Sequence, residues 1–185
     1  GYSFVDCNQF ESATESIWVI KHDSVSIITC SVEFQSVSIS YDLNGTILAS
    51  PFVYAHNINT RRRDFWMKLE AISENMYYNW VVLGDYNAIL TPDEKTISNI
   101  FRVSGSDFSS YIDNCKLSEV PIARADFTRS RYTINGRHAN KLDTSLVQVD
   151  KRNSVVDISG ITLPRIYSDN NPLLVDLCVG STRSA

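Results

Sequence analysis

Apolar positions along this chain fall into short runs and alternations more often than into helical stripes. Residues 17–20 and 25–30 are apolar and β-branched, with a polar turn from Lys21 to Ser24 between them, and predict two strands. Val37 to Tyr41 alternates apolar and polar residues, the pattern of a half-buried strand. Asp42-Leu43-Asn44-Gly45 supplies turn chemistry, so Ile47 to Tyr54 reads as the returning strand. Pro51 has no N–H to give a ladder and predicts an edge, a bulge or an early strand end. Thr60 is the expected N-cap of a helix over 61–77, with Phe65, Leu69 and Ile72 at helical spacing and Trp66 beside them. Trp80-Val81-Val82-Leu83 is a continuous apolar run ending in Gly84-Asp85, which predicts a central strand buried on both faces. Ser104 to Cys115 predicts a second helix, capped by Ser104 or Ser106, with Phe108, Ile112 and Cys115 as its apolar stripe. A turn near Gly136 separates Tyr132-Thr133-Ile134 from a strand over Leu142 to Val149, and Leu173 to Val179 is the last strand. Strands outnumber helices and the helices sit between strand groups, the order of an α/β layered domain with a mixed sheet.

At 185 residues, with 43% hydrophobic and 11% aromatic residues, residues 1–185 form one domain with its own core. The formal net charge of −4 and pI near 5.3 give no overall field for a polyanion and disfavour strong DNA or RNA binding. Local basic runs at Arg61-Arg62-Arg63 and from Arg129 to Arg137 leave room for a basic groove. Three arginines at a helix start oppose the macrodipole, so a solvated face is expected there, with an acidic neighbour or a ligand as the alternatives. Cys7, Cys30, Cys115 and Cys178 are scattered without metal or redox spacing. Free thiols in an intracellular protein are the expectation, and two disulfides in a secreted one the alternative. No apolar run is long enough to span a membrane, and the first residues lack the layout of a signal peptide, although the chain has no initiating methionine. Asn44-Gly45-Thr46 matches a glycosylation acceptor and reads more simply as a turn.

The groups that could carry chemistry cluster at strand ends. Asp85 follows a buried strand and can be aimed rigidly into a cleft, with Asn87 on the same side two residues later. The plainer alternative is an aspartate capping a turn. Asp143 lies between apolar residues, as a second acidic wall or as a strand edge facing water. Ser168-Asp169-Asn170-Asn171-Pro172 precedes the last strand, and Asp169 could ligate a metal, orient a neighbour or belong to a polar turn. His56, just after a strand and near Tyr54 and Asn57, is the one histidine with neighbours suited to a site. Neither zinc spacing, nor a nucleophile elbow, nor a glycine-rich phosphate loop is present.

Taken in order, Phe52-Val53-Tyr54-Ala55-His56-Asn57, Arg61 to Trp66 and Trp80 to Leu90 resemble the endonuclease/exonuclease/phosphatase superfamily. Asp126-Phe127-Thr128, Tyr132 to Asn135, Leu142-Asp143-Thr144-Ser145-Leu146 and Ser168 to Leu173 continue the pattern over nearly the whole chain. The branch it looks most like is the endonuclease domain of plant non-LTR retrotransposons. The resemblance implies a partial, deoxyribonuclease-like four-layered α/β sandwich: two facing mixed sheets with flanking helices and the N-terminal strands of one sheet missing. It implies phosphoester hydrolysis with Mg2+ or Mn2+ if the domain is active, and no cofactor otherwise. Asp85 would position the nucleophilic water, Asn87 would orient substrate, and Tyr54 would contact the scissile phosphate. His56, Asn57, Arg63 and Asp143 would line the substrate, and Asp169 would belong to the metal and histidine-orienting pair.

The departures bear on chemistry. Asn170 stands where the family has its catalytic histidine, and a carboxamide carries no proton at neutral pH. The family's first-strand asparagine and metal-binding glutamate fall ahead of Gly1. Glu15-Ser16 replaces a glycine pair, and Thr144 replaces an arginine. The sequence thus predicts a degenerate nuclease-like domain, catalytically inactive and retained as a binding or interaction module. Its partner would be a protein or a second copy at an exposed sheet edge, with no membrane contact. An active Mg2+-dependent phosphodiesterase drawing another base from Glu11, Glu15 or His56 is the alternative. A regulatory protein that binds a partner through the open edge is a third reading.

Overall fold

A computed structural model describes residues 1–5, 17–96, 104–123, 127–134, 136–148, 156–165 and 168–179. Cys7, Glu11, Glu15, Ser16 and Asp126, which carried parts of the sequence reading, lie outside the described residues. The strands are β1 (Tyr2–Phe4), β2 (Ile20–His22), β3 (Ser26–Glu33), β4 (Ser36–Leu43), β5 (Thr46–Tyr54), β6 (Asn79–Asp85), β7 (Ser118–Glu119), β8 (Ile122–Ala123), β9 (Arg129–Thr133), β10 (Gly136–Asn140), β11 (Asp143–Gln148), β12 (Val156–Thr162) and β13 (Leu173–Val179). Two α-helices, α1 (Asn59–Glu74) and α2 (Ser104–Asn114), and a 3-10 turn at Pro92–Glu94 complete the described elements.

The principal sheet has the order β3-β4-β5-β6-β11-β7. Only β5 and β6 run parallel within it, with α1 as the crossover between them. A second sheet, β13-β12-β8, pairs β12 antiparallel to β13 and parallel to β8. Alternation along β5 and β6 sorts side chains between the two faces of the principal sheet. Val53 and Val82 join the helical side, where Phe65, Trp66 and Leu69 of α1 meet Phe108 and Tyr111 of α2. Phe52 and Leu83 face the other way, into a cleft shared with Leu173 and Val175 of β13. The layers are therefore helices, principal sheet and second sheet, which is the mixed, two-sheet α/β architecture the sequence predicts.

Trp66 anchors the helical layer. Its ring lies 5.1 Å from Tyr111, 5.3 Å from Phe108 and 5.8 Å from Tyr86. Each such aromatic pair adds about 0.5–1.5 kcal/mol beyond area burial. Tyr86 directly follows Asp85, so this packing also fixes the end of β6.

Several expectations need correction. Helix α1 starts at Asn59 after an Ile58 cap that makes no side-chain bond, so Thr60 is inside the helix rather than its cap. The run Arg61 to Arg63 is not one solvated face. Arg62 is buried and donates through Nη1 to the carbonyls of His56 and Asn57, both at 2.8 Å. Pro51 lies in a central strand, where the parallel register passes from Ala49↔Trp80 to Phe52↔Leu83 and skips Ser50 and Pro51. That gap accommodates the missing donor without an edge. Lys21 and His22, expected in a turn, belong to β2. The turn near Gly136 closes a hairpin onto a separate strand, β10, ahead of the strand expected at Leu142. Cys30 is disulfide-bonded, while Cys115 and Cys178 are free, so the set is not four thiols. The Asn44-Gly45 turn is as expected: both residues take positive φ, 54° and 84°, and Asp42 Oδ1 accepts the Gly45 N–H at 2.7 Å. Among the described residues no helix is long and apolar enough to cross a membrane.

Candidate functional site

The end of β6 is built by close backbone approach. Gly84 has φ +141°, and a Cβ there would stand 2.0 Å from the Val53 carbonyl oxygen. Only glycine fits, and it sets the direction of the buried Asp85. The Asp85 carbonyl accepts the Ala55 N–H at 2.8 Å, and its Oδ1 accepts the Asn87 N–H at 2.8 Å. Asn87, at φ 46°, donates its amide to the Ala55 carbonyl at 2.7 Å. Asp85 and Asn87 thus tie the ends of β5 and β6 together.

Asp143 is the register partner of Asp85 across the β6–β11 ladder, so the two carboxylates project on one face. Thr128 Oγ1 holds the start of β11 by accepting the N–H groups of Leu142 and Asp143, each at 3.0 Å. Burial, then the Asp143 charge, pushes the Asp85 carboxyl up to about 6, against the opposing Asn87 bond and the charges of Arg129 and Arg62. Asp143 is also raised, by burial first and further by Asp169, with Thr128 and Arg129 acting the other way.

Asp169 and Asn170 reach the same place from the second wall. Ser130 N–H donates to the Asp169 carbonyl at 2.9 Å and Asn171 N–H to the Thr128 carbonyl at 2.7 Å, bracketing Arg129 opposite Asn170. Arg129 Nε bonds Asp169 Oδ2 at 2.9 Å. Between the walls lies a cleft of about 500 Å³, bordered by Phe52, Leu83, Gly84 and Asp143 on one side and by Asn170, Leu173 and Val175 on the other. Asp143 Oδ2 and Asn170 Oδ1 are both buried and lack a hydrogen-bond partner. These two acceptors are left unsatisfied by the protein's own groups.

Asp85, Asn87, Asp143, Asp169 and Asn170 are therefore brought to one region, and Tyr54, half exposed, is the register partner of Asp85 on β5. The other candidates are engaged elsewhere. His56 accepts the Ile58 N–H at its Nδ1 and sits 3.2 Å from Arg61 Nη1 through Nε2. Asn57 gives its carbonyl to Arg62, and Arg63 is paired with Asp107 of α2 at 3.3 Å, on the helical layer. Thr144 is buried and donates to Glu119 at 2.8 Å.

Arg129, Thr128 and Arg62 were not singled out in the sequence. Arg129 stood only within a basic run, and nothing local marked it as the partner of Asp169. A hydroxyl residue directly before a strand gives no signal of the two distant N–H groups it will accept, and Arg62 looked like its exposed neighbours.

The described residues contain no group of three or more His, Cys, Asp or Glu side chains placed to hold a metal ion. Asp169 Oδ2 is taken by Arg129 and Asp85 Oδ1 by Asn87. Among the described residues, these side chains do not by themselves form the metal site that the sequence resemblance implies.

No family model matches this sequence, and no curated protein does. Solved structures do. The endonuclease domain of TRAS1, a telomere-specific non-LTR retrotransposon, superposes with a TM-score of 0.68 at 12% identity, covering 98% of this chain and 81% of that one. A mannosyl-6-phosphatase of Bacteroides thetaiotaomicron gives 0.64 at 12% identity, covering 96% and 77%. A humanized D. rerio TDP2 gives 0.53 at 10% identity, covering 92% and 71%. At these identities the likeness establishes the fold alone. The chain shares the deoxyribonuclease-like α/β fold of these structures.

Proposed function

We propose that this domain binds a phosphodiester at the cleft mouth and has lost efficient hydrolysis of it, persisting as a binding or interaction module. The observation that carries this reading is Asn170. Its Oδ1 is buried without a partner, directly across the ladder from Arg129. A carboxamide there can orient a ligand but cannot relay a proton, and a positioned acid–base group is worth about 10²–10⁴ in rate. Asp169 supports the same reading, because its charge is balanced by Arg129. The groups suited to a phosphodiester are donors: Arg129 is a cation, Asn170 carries a carboxamide N–H2 and Tyr54 an exposed hydroxyl. If the partner is a protein, the open edge of β3, where Ile28 is half exposed, is the place for strand addition.

The test is nicking of supercoiled plasmid by the purified chain with Mg2+ or Mn2+, beside Asp85→Ala and Asp169→Ala. Nicking no greater than in the two variants is expected. Metal-dependent nicking abolished by both substitutions would overturn the reading.

A second reading, an active phosphodiesterase, rests on Asp85. A carboxyl pushed up to about 6 is tuned toward general-base work near neutral pH. On that reading, nicking rises as pH increases through 6 and then levels, because the base must be ionised.

A further inference from the structure

Beside the cleft lies a smaller pocket of about 200 Å³, lined by Lys95, Arg129, His138 and Asn140. The ladder explains how four distant residues meet there. Lys95 bridges antiparallel to Asn140, Asn140 is the register partner of Arg129, and Arg129 bridges antiparallel to Asn170. Thr96 N–H to the Ala139 carbonyl at 3.0 Å and Lys141 N–H to the Glu94 carbonyl at 2.9 Å bracket the first of these pairs. Residues directly opposite one another on antiparallel strands share a face. Lys95, Asn140, Arg129 and Asn170 therefore form one row across the sheet, and His138, two residues from Asn140, joins that face.

The row is rich in donors. Lys95 and Arg129 are cationic, Asn140 carries an amide, and His138 Nε2 is buried with no hydrogen-bond partner. Among the described residues no carboxylate lines the pocket, and Asp169 engages Arg129 at Nε. A small concavity of donors and positive charge on an acidic chain is suited to an anion.

We infer that the Lys95–Arg129–His138–Asn140 pocket is an anion subsite that holds a second phosphate of the ligand whose first phosphate lies at Asn170. This rests on the phosphodiester-binding reading above. Neighbouring strands are about 4.5–5.5 Å apart, so Asn140 stands about 10 Å from Asn170. Successive phosphates of one strand are separated through space by more than the roughly 3.4 Å axial rise of a duplex, so neighbouring phosphates of a flexible strand reach across most of that distance. The ligand class is thus a chain with phosphates in series, such as a single strand of DNA or RNA, or a compact molecule carrying two separated phosphates.

The test uses the full chain and two substitutions outside the carboxylate site, Lys95→Ala and His138→Gln, each checked by its melting curve. Affinities are measured by titration for an eight-nucleotide single strand, for a dinucleotide with an added 5′-phosphate, and for the same dinucleotide with its bridging phosphate alone. Each substitution is expected to weaken the first two by about tenfold and leave the third within twofold. Lys95→Ala also lowers the salt dependence of strand binding by nearly one phosphate's worth. Weakening of the strand alone assigns the subsite to nucleic acid, and weakening of both assigns it to phosphates in general. Equal weakening of all three ligands, or of none, overturns the subsite while leaving phosphodiester binding intact. A separate titration with inorganic phosphate, followed by the His138 ring resonances, distinguishes the remaining failure. If the chain binds no nucleotide but phosphate shifts His138, the functional reading fails and the anion pocket stands. If neither is seen, both fail.

Discussion

Asp85 and Asp169 directly neighbour Gly84 and Asn170, which line one cleft, and are held in opposite ways. Asp85 is buried, closed in by a glycine that no other residue can replace, and anchored on its next neighbour Tyr86 in the aromatic core. Asp169 is partly exposed and held by the similarly exposed Arg129. A buried carboxylate with few bonds retains a pKa displaced toward neutrality, whereas an exposed ion pair contributes little to stability. The half of the site coupled to the core keeps its architecture even where it costs stability. The half on the second wall carries Asn170, a carboxamide that holds no proton to relay, beside the exposed Arg129–Asp169 pair.

The contrast is broken most severely at Gly84. Gly84→Ala places a methyl group 2.0 Å from the Val53 carbonyl oxygen at a φ of +141°, so β5 and β6 must separate. A loss above about 4 kcal/mol in urea denaturation, or failure to fold, is expected. A loss under 1 kcal/mol would mean that the strand ends move freely and do not aim Asp85.

Asp85→Asn sharpens it next. The folded-state carboxyl, at about 6, lies above its ordinary value near 4, so the native state binds the proton more tightly. Its contribution is fully favourable at low pH and is lost as pH rises from about 4 through about 6. At pH 7.5, Asp85→Asn is expected to stabilise the domain by on the order of 2 kcal/mol, and this gain vanishes near pH 4. Melting temperatures at the two pH values check this. Equal destabilisation at both would show that the bond to Asn87 outweighs the buried charge.

Thr128→Val keeps the shape and removes the acceptor of two N–H groups at the start of β11. About 1–3 kcal/mol of destabilisation is expected, with weaker nucleotide binding because Asp143 loses its anchor. Arg129→Ala is the smallest in stability, below about 1 kcal/mol in melting or denaturant curves because the pair is exposed. Its effect is expected in binding, where the cation directly across the ladder from Asn170 is removed.

Much of the principal sheet was legible because its signals are local. The Asn44-Gly45 turn, the alternation at Val37 to Tyr41 and the apolar run before Gly84 each state their conformation within a few residues. So do the strands and helices that bring Asp85 and Asn87 to a strand end. The illegible parts depend on distant partners. Pro51 is tolerated in a central strand because the β6 register skips it. Arg62 is buried because two carbonyls of the preceding loop need a donor. The row from Lys95 to Asn170 spans four chain segments, so neither spacing nor composition announces it. The histidine with nearby candidates, His56, is occupied by its own loop, whereas His138, which no local pattern marks, lines the small pocket beside Arg129.

The claim that the cleft binds without cleaving is tested most directly by one assay. A labelled oligonucleotide is mixed with excess protein and Mg2+, and bound and cleaved fractions are measured from the same samples over time. The account predicts a bound fraction that falls with Arg129→Ala and a cleaved fraction that does not exceed the Asp85→Ala control. Cleavage above that control, or no binding at any protein concentration reached, would contradict it.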